Sequence, residues 1–133
     1  MQVGLEVLRV CDRLPRKPGS DAIARQLVRS ATSIGANYRA SCRAKSLRDI
    51  LYKLGVVEEE TDETLYWLDL LMQGGYADAT LVAPIRDEVD QILAMTVASR
   101  RTLRARLSHD REAPPESKDR RIAGSKNRPH VAS

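Results

Sequence analysis

Apolar side chains recur at three- and four-residue spacings along most of this chain, most regularly between Leu47 and Met72. There Leu47, Ile50, Leu51, Leu54, Val57, Thr61, Leu65, Leu68 and Met72 follow the period of an amphipathic helix. Ser46 followed by Asp49 supplies an N-terminal cap, with the carboxylate at the positive end of the helix dipole. Gly74-Gly75 stops the pattern. At about seven turns, such a helix is long for a small domain and suits a bundle.

Three further segments share the period. Residues 3–14, with Val3, Val7, Val10 and Leu14, predict a short first helix ended by Pro15. A second helix is expected from Asp21 to about Cys42, capped by Ser20 or Asp21, with Ile23, Leu27, Ala31, Ile34 and Tyr38 on its stripe. Its run Ser30-Ala31-Thr32-Ser33-Ile34-Gly35-Ala36-Asn37 is rich in small residues, which favours close approach to a neighbouring helix. Residues 78–107 predict the last helix, with Leu81, Ile85, Val89, Ile92, Thr96, Leu103 and Leu107 on one side and Pro84 in its first turns. Four helices with short connections imply an all-α fold, an antiparallel up-and-down four-helix bundle over residues 1–108. Residues 109–133, with Pro114-Pro115, scattered charge and few aliphatics, read as a disordered basic tail.

Charge changes this picture because it is unevenly distributed. Of 133 residues, 22 are Lys or Arg and 18 are Asp or Glu, for a net charge of +4. Residues 1–48 carry 10 bases and 3 acids, residues 49–99 carry 2 and 11, and residues 100–133 carry 10 and 4. The middle of the chain is therefore acidic and both ends are basic. No apolar run approaches the 18 or so residues of a membrane-spanning helix. The N-terminal residues lack a continuous apolar signal segment, so a cytoplasmic protein is expected. Two cysteines, Cys11 and Cys42, make no disulfide framework, and neither metal-ligand spacing nor a cofactor motif occurs. Cys42 is expected in the core.

On a helical projection Arg25, Arg29, Arg39 and Arg43 fall within about 80° of one another, opposite the apolar stripe of the second helix. Lys45 and Arg48 extend the cluster, and Arg100 and Arg104 at the end of the last helix can add to it. Guanidinium groups spread over roughly 27 Å of helix can track a phosphate backbone; equally, they form a solvated face neutralised by the acidic third helix. With only Tyr38 nearby, base stacking is not indicated. Glu58 falls within the apolar stripe of the third helix, where a buried carboxylate needs a partner such as Arg29, Arg39 or the amide of Asn37. Tyr52, Val56, Trp67 and Leu70 form a second apolar stripe on the same helix. That stripe is either sandwiched within the bundle or buried against another subunit, and its aromatic residues favour self-association. A catalytic constellation is not expected. The one spacing that bears on catalysis is Arg104 followed by His109, which resembles the Arg-x4-6-His signature of helical HEPN-type ribonucleases.

Two stretches carry a wider resemblance. Leu27-Val28-Arg29-Ser30-Ala31-Thr32-Ser33-Ile34-Gly35-Ala36-Asn37-Tyr38-Arg39-Ala40 resembles the second helix of the four-helix bundle proteins also called 23S ribosomal-RNA intervening-sequence proteins. Lys53-Leu54-Gly55-Val56-Val57-Glu58-Glu59-Glu60-Thr61-Asp62-Glu63-Thr64-Leu65-Tyr66-Trp67-Leu68 is similar to their third helix. The resemblance spans roughly residues 3–107. It implies an up-and-down bundle assembling as a ring-like homopentamer. Relatives of that family include the accessory variability determinant of diversity-generating retroelements, a basic pentamer that binds nucleic acid and a reverse transcriptase. The expected partners are thus further copies of the chain, DNA or RNA, and a nucleic-acid enzyme; a scaffold that binds only protein is the alternative. The net charge of +4 and the acidic middle depart from the retroelement relative.

Overall fold

The computed structural model of the chain describes residues 2–112, and all its regular elements there are helical. They are α1 (Gln2–Asp12), α2 (Pro18–Cys42), α3 (Leu47–Gln73) and α4 (Ala79–Glu112). α2 packs on α3, α3 on α4, and α1 on both α2 and α4. The helices thus stand at the corners of a square, α1 diagonal to α3 and α2 diagonal to α4, in the expected up-and-down order.

The caps show where local chemistry set the boundaries. Ser46 accepts a hydrogen bond from the Asp49 amide at 3.1 Å, the cap expected for α3. Asp78 caps α4 in the same way, its carboxylate accepting from the Thr80 amide at 3.1 Å. α2 departs from expectation: it begins at Pro18, not at Asp21, and its N-cap position is the extended Lys17. Proline has no amide hydrogen to satisfy and a backbone angle already set for a first helical turn. Ser20 therefore lies inside the helix, fully buried, and its hydroxyl donates to the Pro15 carbonyl at 2.6 Å. That bond ties the α1–α2 turn instead of capping. At the other connection Gly75 takes a φ of 71°, a left-handed conformation that reverses the chain after α3. Tyr76 then folds over Gly19, where an added Cβ would lie 2.7 Å from the tyrosine oxygen.

Val7, Leu27, Val57, Leu68, Leu71, Val82 and Val89 are fully buried and join the four helices. The small residues of α2 do bring it close to α3: Ser30 is completely buried, and its hydroxyl meets that of Thr64 at 2.9 Å. The last helix is longer than its sequence pattern. It continues through His109 to Glu112, past the expected boundary at 108, and its last turn carries His109 and Arg111, where bases suit the negative end of the helix dipole without burial. Residues 113–133 of the expected tail lie outside the described residues.

Replacing Leu68 by alanine should cost about 2–5 kcal/mol of stability, the range for a leucine removed from a closed core. Denaturant unfolding of the two proteins, followed by circular dichroism, measures it.

Candidate nucleic-acid interface

The up-and-down order brings the C-terminal ends of α2 and α4 and the N-terminal end of α3 to one pole of the bundle. That is where the exposed bases gather. Arg39 and Arg43 come from α2, Lys45 from the α2–α3 connection, Arg48 from the first turn of α3 and Arg104 from α4. All five are exposed and make no ion pair among the described residues. Arg25 is also exposed, but it lies 14 residues before Arg39. It is therefore about 21 Å away along α2, toward the opposite pole.

Two of the expected phosphate-binding residues are taken up by carboxylates instead, Arg29 while still exposed on the surface and Arg100 in a more sheltered position. Arg29 reaches α3, donating to Glu60 at 3.2 Å and to Glu63. Arg100 donates to Glu58, so the partner of Glu58 is on α4, not Arg29, Arg39 or Asn37 on α2. The reason is position: Glu58 sits at the α3–α4 edge of its stripe, half-buried, where Arg100 can lie across Gly55. A Cβ on Gly55 would stand 3.2 Å from the arginine nitrogen, so glycine makes the room. Among the described residues the Arg100 Nε is buried without a hydrogen-bond partner, a desolvation cost set against the bond to Glu58. Asn37 is half-buried and bonds locally, donating to the Ser33 carbonyl at 2.9 Å and its hydroxyl at 3.0 Å.

These pairs mark the bundle as a charge-separated object. The acids of the middle segment lie on α3 and early α4, and they take up Arg29, Arg86 and Arg100. Arg86 donates to Asp69 at 2.6 Å. The hydrogen bond from Arg29 holds the Glu63 carboxyl below its ordinary range, against desolvation, and the Trp67 indole adds a second donor at 3.2 Å. Among the described residues the pole bases have no such partners. α4 adds bases that the sequence pattern passed over, Arg101 and Arg111. They share a face with Arg104 within about 80° once the helix is extended beyond residue 107.

The remaining candidates fall out differently. Tyr52 is 68% exposed on the outer face of α3, whereas Val56, Trp67 and Leu70 are half-buried, Trp67 packing against the core. The unrecognised member of that outer face is Tyr66, 57% exposed with its ring edge-on to Trp67 at 4.9 Å. Cys42 is exposed at the end of α2, not in the core; Cys11 is the sheltered thiol, pushed up to about 11 by burial and then by Asp12. Arg104 and His109 ride one continuous helix five residues apart, about 140° from each other, and do not converge. Among the described residues no cluster of three potential metal ligands occurs, and no helix is long and apolar enough to cross a membrane.

Four antiparallel helices with a basic pole define the chain as a helical-bundle protein. It belongs to the family of 23S rRNA-intervening sequence proteins, whose family model matches residues 1–98. Among solved structures it is similar to a protein of unknown function from the S23 ribosomal protein family of Bacteroides thetaiotaomicron VPI-5482. The two share 28% sequence identity at a TM-score of 0.61, over 74% of this chain and 97% of that one. No curated protein matches the chain.

Because the folded-state value of Glu63 is depressed, its pairing stabilises the protein above the ordinary carboxylate pKa of about 4.3 and is lost as pH falls through the lower folded value. A Glu63→Gln variant should melt below the wild type at neutral pH, and the gap should close as pH falls through the depressed value of the folded state. Thermal melts across that range provide the measurement.

Proposed function

We propose that this protein is a non-enzymatic, cytoplasmic, oligomeric helical bundle that binds nucleic acid at its basic pole, as an accessory factor to a nucleic-acid enzyme. The observation that carries the reading is the gathering of Arg39, Arg43, Lys45, Arg48 and Arg104 at one end, exposed and without carboxylate partners among the described residues, while Arg29, Arg86 and Arg100 are held by α3. Charged groups intended only to solvate a bundle need no such segregation. Phosphate contacts would dominate this binding, with little reading of sequence, since Tyr38 and Tyr52 are the only exposed aromatics near the pole among the described residues. Assembly of several copies, a homopentamer on the family resemblance, would multiply one pole into a broader basic surface.

The alternative is a scaffold that binds protein alone. It is favoured by one specific observation, the apolar groove that α1 leaves open between α2 and α4, with Tyr38 and Met95 exposed at its edge.

The test is binding to fluorescent DNA duplexes and to single-stranded RNA at increasing salt. Wild-type affinity should fall steeply with salt. Changing Arg39, Arg43, Arg48 and Arg104 together to alanine should remove binding, or flatten the salt slope by about 0.9 per lost duplex contact. Arg25→Ala should leave both nearly unchanged. Wild-type protein without salt-dependent binding to either nucleic acid at low ionic strength overturns the reading and leaves the scaffold.

A further inference from the structure

Positive charge accumulates past the point where the family match ends. That match stops at residue 98, and residues 99–133 hold 10 of the 22 bases against 4 acids. Five of the ten lie on α4, and five follow Glu112, its last residue. On α4, Arg100 is taken by Glu58. Arg101, Arg104, Arg106 and Arg111 are exposed and make no ion pair among the described residues. The helix dipole does not account for them. It favours bases within the last turn, where His109 and Arg111 already stand, and Arg101, Arg104 and Arg106 lie roughly two to three turns earlier.

The direction of α4 brings this charge to the pole. α3 and α4 are antiparallel, and the bond between Glu58 and Arg100 sets their register, so Asp110 comes about level with Arg48 in the first turn of α3. The chain therefore continues past Glu112 from beside Arg43, Lys45 and Arg48. Residues 113–133, 21 in all, carry Lys118, Arg120, Arg121, Lys126 and Arg128 against Glu116 and Asp119, with no tyrosine, tryptophan or phenylalanine. A segment of that length can span at most about 70 Å. Duplex DNA carries one phosphate charge per about 1.7 Å of axis, so a duplex held at the pole offers phosphates all along that reach. The sign of the segment separates two roles. One that screened the pole in the absence of nucleic acid would carry acids. These residues carry the pole's own sign, so they add to its field instead of cancelling it.

We infer that residues 113–133, together with Arg101, Arg104, Arg106 and Arg111 of α4, act as a second phosphate-binding arm that extends the basic pole along the backbone of a nucleic-acid duplex. The inference rests on the reading of the pole given above and adds a binding element that lies beyond the family match. Its recognition is of charge alone: guanidinium and ammonium groups meet phosphate oxygens, and with no aromatic side chain in the segment no base is stacked. Arms of this kind add affinity and salt dependence without reading sequence.

The test keeps the full 133-residue chain. One variant changes Lys118, Arg120, Arg121, Lys126 and Arg128 together to glutamine. A second keeps every charge by exchange: Lys118→Arg, Arg120→Lys, Arg121→Lys, Lys126→Arg and Arg128→Lys. Fluorescence anisotropy follows binding to a mixed-sequence DNA duplex of about 40 base pairs from about 50 to 200 mM salt. The glutamine variant should bind at least about tenfold more weakly at the low end. Its plot of log affinity against log salt should be shallower by at least about 1.8, the effect of two lost phosphate contacts. The exchanged variant should match the wild type in both. Circular dichroism checks helix content; should the glutamine variant lose it, Arg101→Gln with Arg106→Gln, both exposed on α4, tests the described half of the arm at a threshold of about 0.9, one contact. A smaller change of slope overturns the arm while the pole reading stands. Tighter binding by the glutamine variant overturns it too, since the bases would then be covering acids of the bundle. An exchanged variant as weak as the glutamine variant overturns recognition by charge. A wild type without salt-dependent binding overturns both the arm and the reading it rests on.

Discussion

Most of what is distinctive in this bundle depends on one mismatch of length. α1 has 11 helical residues, while α2, α3 and α4 have 25, 27 and 34. At 1.5 Å per residue, α1 is about 16 Å long beside partners of roughly 38–51 Å. Four helices at the corners of a square share one core only as far as all four extend. Where α1 is present, Val3, Val7 and Val10 meet Leu27, Leu68 and Val89 in a closed interior. Beyond it, α2 and α4 remain diagonal, and the long helices close the interior by themselves: Ile34, Leu54 and Thr96 stay buried beneath a cleft edged by Tyr38 and Met95.

The grip of α1 is weak for a second reason. Glu88 on α4 and Glu6 on α1 line the same furrow, and desolvation together with the facing Glu6 carboxylate pushes the Glu88 carboxyl above its ordinary range. A raised carboxyl favours the folded state when protonated, and that contribution is lost as pH rises through its folded value. Glu63 behaves in the opposite sense, since Arg29 depresses it. The two seams therefore respond oppositely to acid: acidification weakens α2 on α3 and relieves α1 on α4. The seam among the three long helices is the durable one, held by the Ser30–Thr64 contact and by three arginine–carboxylate pairs.

The order of helices was legible in the sequence because it follows from a period, and a period survives in every window of the chain. Ser46 with Asp49, Gly75 and the stripe through Leu54, Val57, Leu65 and Leu68 are each local statements, and each holds. What could not be read were pairings across large separations. Glu58 and Arg100 are 42 residues apart, and the signal that joins them is Gly55, whose missing side chain makes sense only once α4 lies beside it. Arg29 belonged on the basic face of α2 by its angle, but the same angle borders α3, and Glu60 and Glu63 take it. Pattern also understates helices whose ends are charged: α4 runs on to Glu112, and the bases of its last turn are favourable at a C-terminus without burial.

These separations explain why net charge is a poor guide here. An arginine whose guanidinium meets a carboxylate in a seam contributes to register and packing and has little left for a phosphate. An arginine at the pole retains its full field. Sorting by partner removes Arg29, Arg86 and Arg100 from the count of available bases and leaves a compact group that comes from three different chain segments. The same length mismatch that opens the groove also places this group, because the pole reached by α2, α3 and α4 is the one that α1 does not reach. Apolar exposure and unpaired positive charge thus arise together at the uncovered half of the bundle.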